Sequence, residues 1–244
     1  MPFLFCAFLY LIDGNRRSTL ARMSIAENIK DVKARIAKAG KPYGADTSGV
    51  QLIAVSKVQP PEKIQEALDA GHRLFGENRV QEAIEHWAHR RANYPDLRLH
   101  LIGPLQTNKV RDAVALFDMI ESVDREKLAR ALAKEMQKQG RHLPCLVQVN
   151  TGEEEQKAGV RPADLPHVLK ICREECGLDV RGLMCIPPVD EPPALHFALL
   201  RKLAHENGLE ELSMGMSGDY EKAAALGTTY VRVGTAIFGE RTHK

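Results

Sequence analysis

Apolar residues along this chain come in short continuous runs, separated by longer segments in which they recur every three or four positions. Leu52-Ile53-Ala54-Val55-Ser56 is such a run, and a branched, unbroken run of this length reads as a strand covered on both faces. Further runs follow at Arg73-Leu74-Phe75, Leu99-His100-Leu101-Ile102, Met119-Ile120-Glu121-Ser122 and Cys145-Leu146-Val147-Gln148-Val149. Three more follow, at Val180-Arg181-Gly182-Leu183-Met184, Glu211-Leu212-Ser213-Met214 and Tyr230-Val231-Arg232-Val233. The segments between them have helical spacing. They are Ile64–Ala70, Val80–Ala92, Lys109–Phe117, Arg125–Gln139, a stretch from Pro162 to Cys176, one from Pro193 to Asn207, and Tyr220–Leu226. Prolines open several of these helices, and Gly71, Gly140, Gly177, Gly208 and Gly227 follow their ends, as the geometry of helix termini favours.

Strands that alternate with helices at this spacing run parallel and are joined by crossover helices. Eight such units close into a single (β/α)8 TIM barrel. An open doubly wound sheet is the other arrangement of the same units, but no Gly-x-Gly-x-x-Gly follows an early strand. Ahead of the first strand, Ser24 and Glu27 form a Ser-x-x-Glu capping box, and Ile25, Ile29, Val32 and Ile36 share one helical face. The barrel therefore carries an extra N-terminal helix. Residues 1–22 are read as an extension outside the fold, either upstream of a natural start at Met23 or a short membrane-associating or partner-binding extension, with residues 23–244 as the barrel domain. The apolar stretch Pro2–Ile12 lacks the basic start and small-residue cleavage site of a secretion signal, and is too short to span a bilayer. The barrel and its leading helix take up the rest of the chain, so no second globular domain is expected.

Composition narrows the partners. Lys and Arg number 34 against 32 Asp and Glu, a net charge of +2, without the clustered basic excess of a nucleic-acid binder. Five cysteines, an odd number spread along the chain, fit reduced thiols and a cytoplasmic location better than a disulfide framework. No apolar run reaches the ~18 residues of a membrane span.

In barrels of this class, chemistry collects at the carboxyl ends of the strands. There the first strand ends in Ser56-Lys57 and the second in Gly76-Glu77-Asn78. The seventh ends in Ser213-Met214-Gly215-Met216-Ser217-Gly218 and the eighth in Gly234-Thr235. A lysine at the rim, beside apolar walls, loses part of its solvation, which favours the neutral amine that attacks carbonyls. Glycine-rich loops after strands seven and eight are a frequent phosphate site in this architecture, because glycine lets backbone N–H groups approach an anion. Barrel closure sets the eighth strand beside the first, and so sets Ser217, Gly234 and Thr235 near Lys57. An amine beside a phosphate cradle suits a phosphorylated aldehyde. Pyridoxal 5′-phosphate fits, and so does a sugar phosphate held by a Schiff-base aldolase. The helix carrying His86 and His89 reads as a solvated face rather than a metal site, and Trp87 as packing.

Six segments go further. They are Leu52-Ile53-Ala54-Val55-Ser56-Lys57, Phe75-Gly76-Glu77-Asn78-Arg79-Val80-Gln81-Glu82, His100–Lys109, Arg181-Gly182-Leu183-Met184, Leu212–Ser217 and Val231–Gly239. In these segments the chain resembles the pyridoxal phosphate homeostasis proteins, an alanine-racemase-like barrel group also described as proline synthetase co-transcribed. The resemblance implies a barrel like the N-terminal domain of alanine racemase, with pyridoxal 5′-phosphate held as an aldimine on Lys57. It implies phosphate contacts from Ser217, Gly234 and Thr235, with Arg232 near the cofactor, on its ring nitrogen or its phosphate, and Asn78 near the ring. It further implies no catalytic residue and no metal. The role would be binding, buffering and delivery of vitamin B6 to apo-enzymes by a monomeric protein without turnover. The other reading of the same site is a pyridoxal-phosphate-dependent amino-acid racemase or decarboxylase.

Overall fold

The computed structural model describes residues 23–240. Eight strands, β1 (Gln51–Val55), β2 (Leu74–Glu77), β3 (Arg98–Leu101), β4 (Met119–Val123), β5 (Cys145–Val149), β6 (Val180–Cys185), β7 (Glu211–Ser213) and β8 (Tyr230–Val233), pair in chain order and close as a barrel. Each pair is parallel, and closure runs through Gln51 to Ala54 of β1 against Tyr230 to Val233 of β8. The open sheet, the other arrangement of these units, is thereby excluded.

Alternation along each strand divides the core in two. Leu52, Ala54, Phe75, Leu99, Leu101, Ile120, Val147, Leu183, Leu212, Val231 and Val233 belong to the large apolar cluster between the strands and the helices. Their neighbours Ile53, Leu74, Met119, Leu146, Met184 and Tyr230 form a separate small cluster, which fills the barrel itself. Beyond these six, the alternation carries polar residues, among them His100, Glu121, Ser213 and Arg232, all buried. A packed apolar floor with a polar layer above it is what a barrel presents when its strand ends carry chemistry.

The helices are α1 (Ile25–Ala39), α2 (Pro61–Asp69), α3 (Val80–Trp87), α4 (Val110–Leu116), α5 (Glu126–Gln139), α6 (Leu165–Lys170), α7 (Pro193–Glu206), α8 (Tyr220–Ala225) and α9 (Thr235–Phe238). The expected capping box opens α1. Glu27 N donates to Ser24 Oγ at 3.2 Å, and Ser24 N donates to Glu27 Oε2 at 2.8 Å. Its four anticipated apolar residues are all buried, each worth about 1.5–3 kcal/mol against exposure. They seat α1 on α2, α8 and α9.

Three helices depart from the pattern-based reading. The one expected to reach Ala92 ends at Trp87, and Arg91–Asn93 is a separate 3-10 turn. Arg90 Nη1 takes the carbonyl of His86 at 2.5 Å, while Arg90 N bonds back only to Trp87 O at 3.0 Å, which tightens the chain out of the α form. After Pro162 the single expected helix is a 3-10 turn, then α6, then a π-helical turn over Ile171–Glu175. Finally, α9 occupies residues read only as a loop after the last strand. Among the described residues no helix is long and apolar enough to cross a membrane. The segment 1–22, expected to lie outside the fold, is not among the described residues.

Candidate functional site at the carboxyl mouth of the barrel

Lys57 follows directly on β1 and Ser56, half-buried at the rim. Register carries two neighbours to its flanks. Val55 stands opposite Gly76 on β2, so Asn78 lies across from Lys57 on one side. Ala54 stands opposite Val233 on β8, so the turn from Gly234 into α9 lies on the other. A methyl group placed on Gly234 would rest 3.5 Å from Val55, which fixes how closely that turn hugs β1. Asn78 is half-buried, and its backbone is pressed so tightly against Gly103 that any side chain at 103 would collide with it. Ser122 Oγ donates to the Gly103 carbonyl at 2.6 Å and so holds that close approach.

Ser217, Gly234 and Thr235 converge. Gly234 N and Ala236 N both donate to Ser217 Oγ, at 3.2 Å and 3.4 Å. These are long bonds from two N–H groups at the start of α9, which has no side-chain cap of its own. Ser217 itself is not the cap of α8, since Asp219 holds that position. Gly215, at φ 92°, lies so close to Ala223 and Tyr220 that a side chain there would clash, and the left-handed bend it permits turns the chain toward Ser217. Ser217 and Gly234 are half-buried and Thr235 is exposed, so the cluster opens outward.

Arg232 points elsewhere in this geometry. Its guanidinium is buried, with Nη1 donating to Ser213 Oγ at 2.6 Å and Nη2 to the Cys185 carbonyl at 2.8 Å. Ser213 Oγ in turn donates to Glu121 Oε2 at 2.5 Å, and His100 Nδ1 lies 2.7 Å from Glu121 Oε1. The arginine is thus one end of a buried chain, Arg232–Ser213–Glu121–His100, that crosses the barrel interior. Burial lowers its pKa, and the field of Glu121 opposes that shift. The Cys185 thiol beside it is pushed up to about 12 by burial and is inert as a nucleophile.

A second buried network, absent from the sequence reading, lies behind Lys57. Glu77, the last residue of β2, is wholly buried. Its Oε1 accepts from Ser56 Oγ at 2.6 Å and Trp87 Nε1 at 3.0 Å, and lies 2.9 Å from His86 Nδ1. Its Oε2 is buried without a partner within the protein. Trp87 packs, as anticipated, and also donates. His86 does not sit on a solvated face. It turns inward to Glu77, while His89 alone remains exposed. Burial disfavours charge on His86, but the hydrogen bond and charge of Glu77, with Glu82 adding, raise its pKa. Glu77, Glu82 and His86 bring ligand-type atoms within 4.8 Å of one another. Glu77 directly before Asn78, and His86 beside Glu82 on one helix, hinted at this network in the sequence, but its donors come together from the residue after β1 and from α3.

Comparison with known proteins places the chain. The alanine racemase N-terminal domain family matches residues 22–242. The pyridoxal phosphate homeostasis protein of Vibrio cholerae is 42% identical over 230 residues, covering 90% of this chain and 98% of that one. PipY of Synechococcus elongatus, solved with PLP bound, is 40% identical with a TM-score of 0.76, covering 88% of this chain and all 100% of that chain. Alanine racemase of Clostridium difficile shares the fold at 15% identity and a TM-score of 0.67, and this chain covers 57% of it.

Proposed function

The chain belongs to the pyridoxal phosphate homeostasis proteins, a group built on the alanine racemase N-terminal domain, and on that footing we propose that it binds pyridoxal 5′-phosphate at the barrel mouth and buffers and hands on the cofactor rather than turning over a substrate. The observation that carries the reading is the pair of N–H groups at Gly234 and Ala236, held by two long bonds to Ser217 Oγ beside the strand that ends in Lys57. A phosphate replaces such bonds readily, since the start of a helix turns several N–H donors on one anion.

The donor set fits the cofactor. Lys57 would supply the amine that meets the cofactor's aldehyde. Ser217, Gly234 and Thr235 take the phosphate, and Asn78 flanks the ring from the β2 side. The Arg232 guanidinium, tied to Ser213 and the Cys185 carbonyl, is already fixed in place. The bound cofactor supplies an electrophilic carbonyl and an electron-withdrawing ring. Arginine stays protonated, so a contact with the ring nitrogen would keep that nitrogen unprotonated and weaken the ring as an electron sink.

Every strand among the described residues belongs to the barrel. None of them forms a second layer over the mouth. An open mouth exchanges cofactor easily and shields reactive intermediates poorly, which favours carriage over catalysis. The purified protein incubated with pyridoxal 5′-phosphate is expected to show a visible band that borohydride fixes, with the added mass on the Lys57 peptide. Lys57→Ala should lose the band, and its persistence at another lysine overturns the assignment. A pyridoxal-phosphate-dependent apo-enzyme should gain activity from the loaded protein. Turnover of an amino acid by the pure protein, abolished by Lys57→Ala, would instead establish the racemase or decarboxylase reading.

A further inference from the structure

Lys57 sits in an unusual turn. Gln59 N donates to Ser56 O at 3.1 Å, which makes Lys57 and Val58 the two central residues of a tight turn. Val58 has φ 59°, in the left-handed region, and it is one of two non-glycine residues among those described with positive φ. A β-branched residue there is strained, and such strain persists only where the surroundings hold it. The packing of Val58 does not hold it, because its side chain is 66% exposed. What holds it is on α3. The Val58 N–H donates to the carboxylate of Glu82, in the first turn of that helix. On the other side of Lys57, Ser56 is pinned to β2 by its amide on the Gly76 carbonyl at 3.1 Å and by its hydroxyl on Glu77. The lysine is therefore clamped between a fixed strand end and a strained residue tied to a carboxylate.

We infer that Glu82 is a positioning residue for Lys57: its carboxylate locks Val58 in the left-handed conformation and so sets the direction in which the lysine leaves β1. The inference rests on the reading of Lys57 as the cofactor lysine. Glu82 acts on the turn through the Val58 backbone N–H. The choice of valine makes the clamp necessary, since glycine would adopt the same φ unaided.

The test compares Glu82→Ala, Glu82→Gln, Val58→Gly and the double variant Glu82→Ala/Val58→Gly with the full-length protein, each titrated with pyridoxal 5′-phosphate. Releasing left-handed strain at one residue corresponds to a weakening of between about 5-fold and about 100-fold, the range expected for Glu82→Ala. Glu82→Gln keeps an acceptor and should stay within about 3-fold of the wild type, because a neutral acceptor retains the geometry at reduced strength. The double variant should recover most of the loss. The pH midpoint of the bound absorbance band should move in Glu82→Ala and return in the double variant. Thermal unfolding of each cofactor-free chain separates this from a purely structural role, which would lower stability and leave affinity and pH midpoint unchanged. Amide hydrogen exchange at Val58, measured without cofactor, should be slow in the wild type and fast in Glu82→Ala. Wild-type affinity in Glu82→Ala, or no recovery in the double variant, overturns the clamp. Failure of the wild type to fix cofactor on Lys57 would overturn the functional reading instead, and the Val58 exchange result would still judge the clamp.

Discussion

Two histidines, one buried and one half-buried, respond to pH in opposite directions. His72, 5% exposed, stacks edge-on against Phe75 with ring centroids 5.2 Å apart, and its Nε2 lies 2.7 Å from the Leu74 carbonyl. Burial pulls its pKa from 6.5 to about 4. The unfolded chain then binds the proton more readily, so stability is whole above pH 6.5 and falls as pH drops toward 4, by about 3 kcal/mol in all. His72→Gln, which cannot charge, should flatten that part of a urea-unfolding series. For His86 the sign reverses. Its folded pKa is raised above 6.5, so its contribution is complete below that value and is lost as pH rises through the raised one. The advantage of the wild type over His86→Gln should therefore shrink as pH rises past 6.5, and a constant difference would contradict the inward pairing with Glu77. Arg232→Ala strands Ser213, Glu121 and the Cys185 carbonyl in the interior, and should lower unfolding free energy by about 3 kcal/mol in the same assay. None of these partnerships was legible from the chain. Glu121 and His100 stand inside apolar runs and Glu77 at the end of one, and nothing local names their partners, which lie on other strands and, for Glu77, on α3.

At the level of elements, much more was readable. Parallel strands buried on both faces must be apolar throughout, so all eight announced themselves as runs, and β5 and β8 keep the anticipated bounds. The leading helix was legible to its cap, because a capping box and a four-residue apolar stripe are local signals. Ser24→Ala should remove about 1 kcal/mol of stability by chemical denaturation, since it releases one N–H at the start of α1. The short α9 was not legible. Thr235-Ala236-Ile237-Phe238 has strand-like composition, and what makes it helical is tertiary. Asn28 Nδ2 of α1 donates to the Ile237 carbonyl at 2.8 Å, and Lys63 Nζ of α2 to that of Phe238 at 2.6 Å. Those two side chains satisfy carbonyls that a one-turn helix leaves open. The π-helical turn at Ile171–Glu175 gave no signal either, since its residues fit an α-helical period.

Over the whole molecule, ligand and fold are linked by mass action. A ligand that binds only the folded barrel, present at a hundredfold excess over its dissociation constant, stabilises it by about 2.7 kcal/mol. Pyridoxal 5′-phosphate should raise the thermal midpoint of the wild type in proportion to its logarithm, and should do much less for Lys57→Ala. The loops that would carry the effect come from the two ends of the chain, since Lys57 follows β1 and the proposed phosphate cluster follows β7 and β8. That arrangement bears on how the protein is made. A ribosome releases β1 and α1 first, yet the outer edge of β1 pairs with β8, and α1 seats against α8 and α9. The earliest segments must wait, one edge of β1 unpaired, until the final strand leaves the exit tunnel. A nascent chain stalled before Tyr230 has no closed ring, and the turn after β8 comes to stand beside Lys57 only once that last pairing is made.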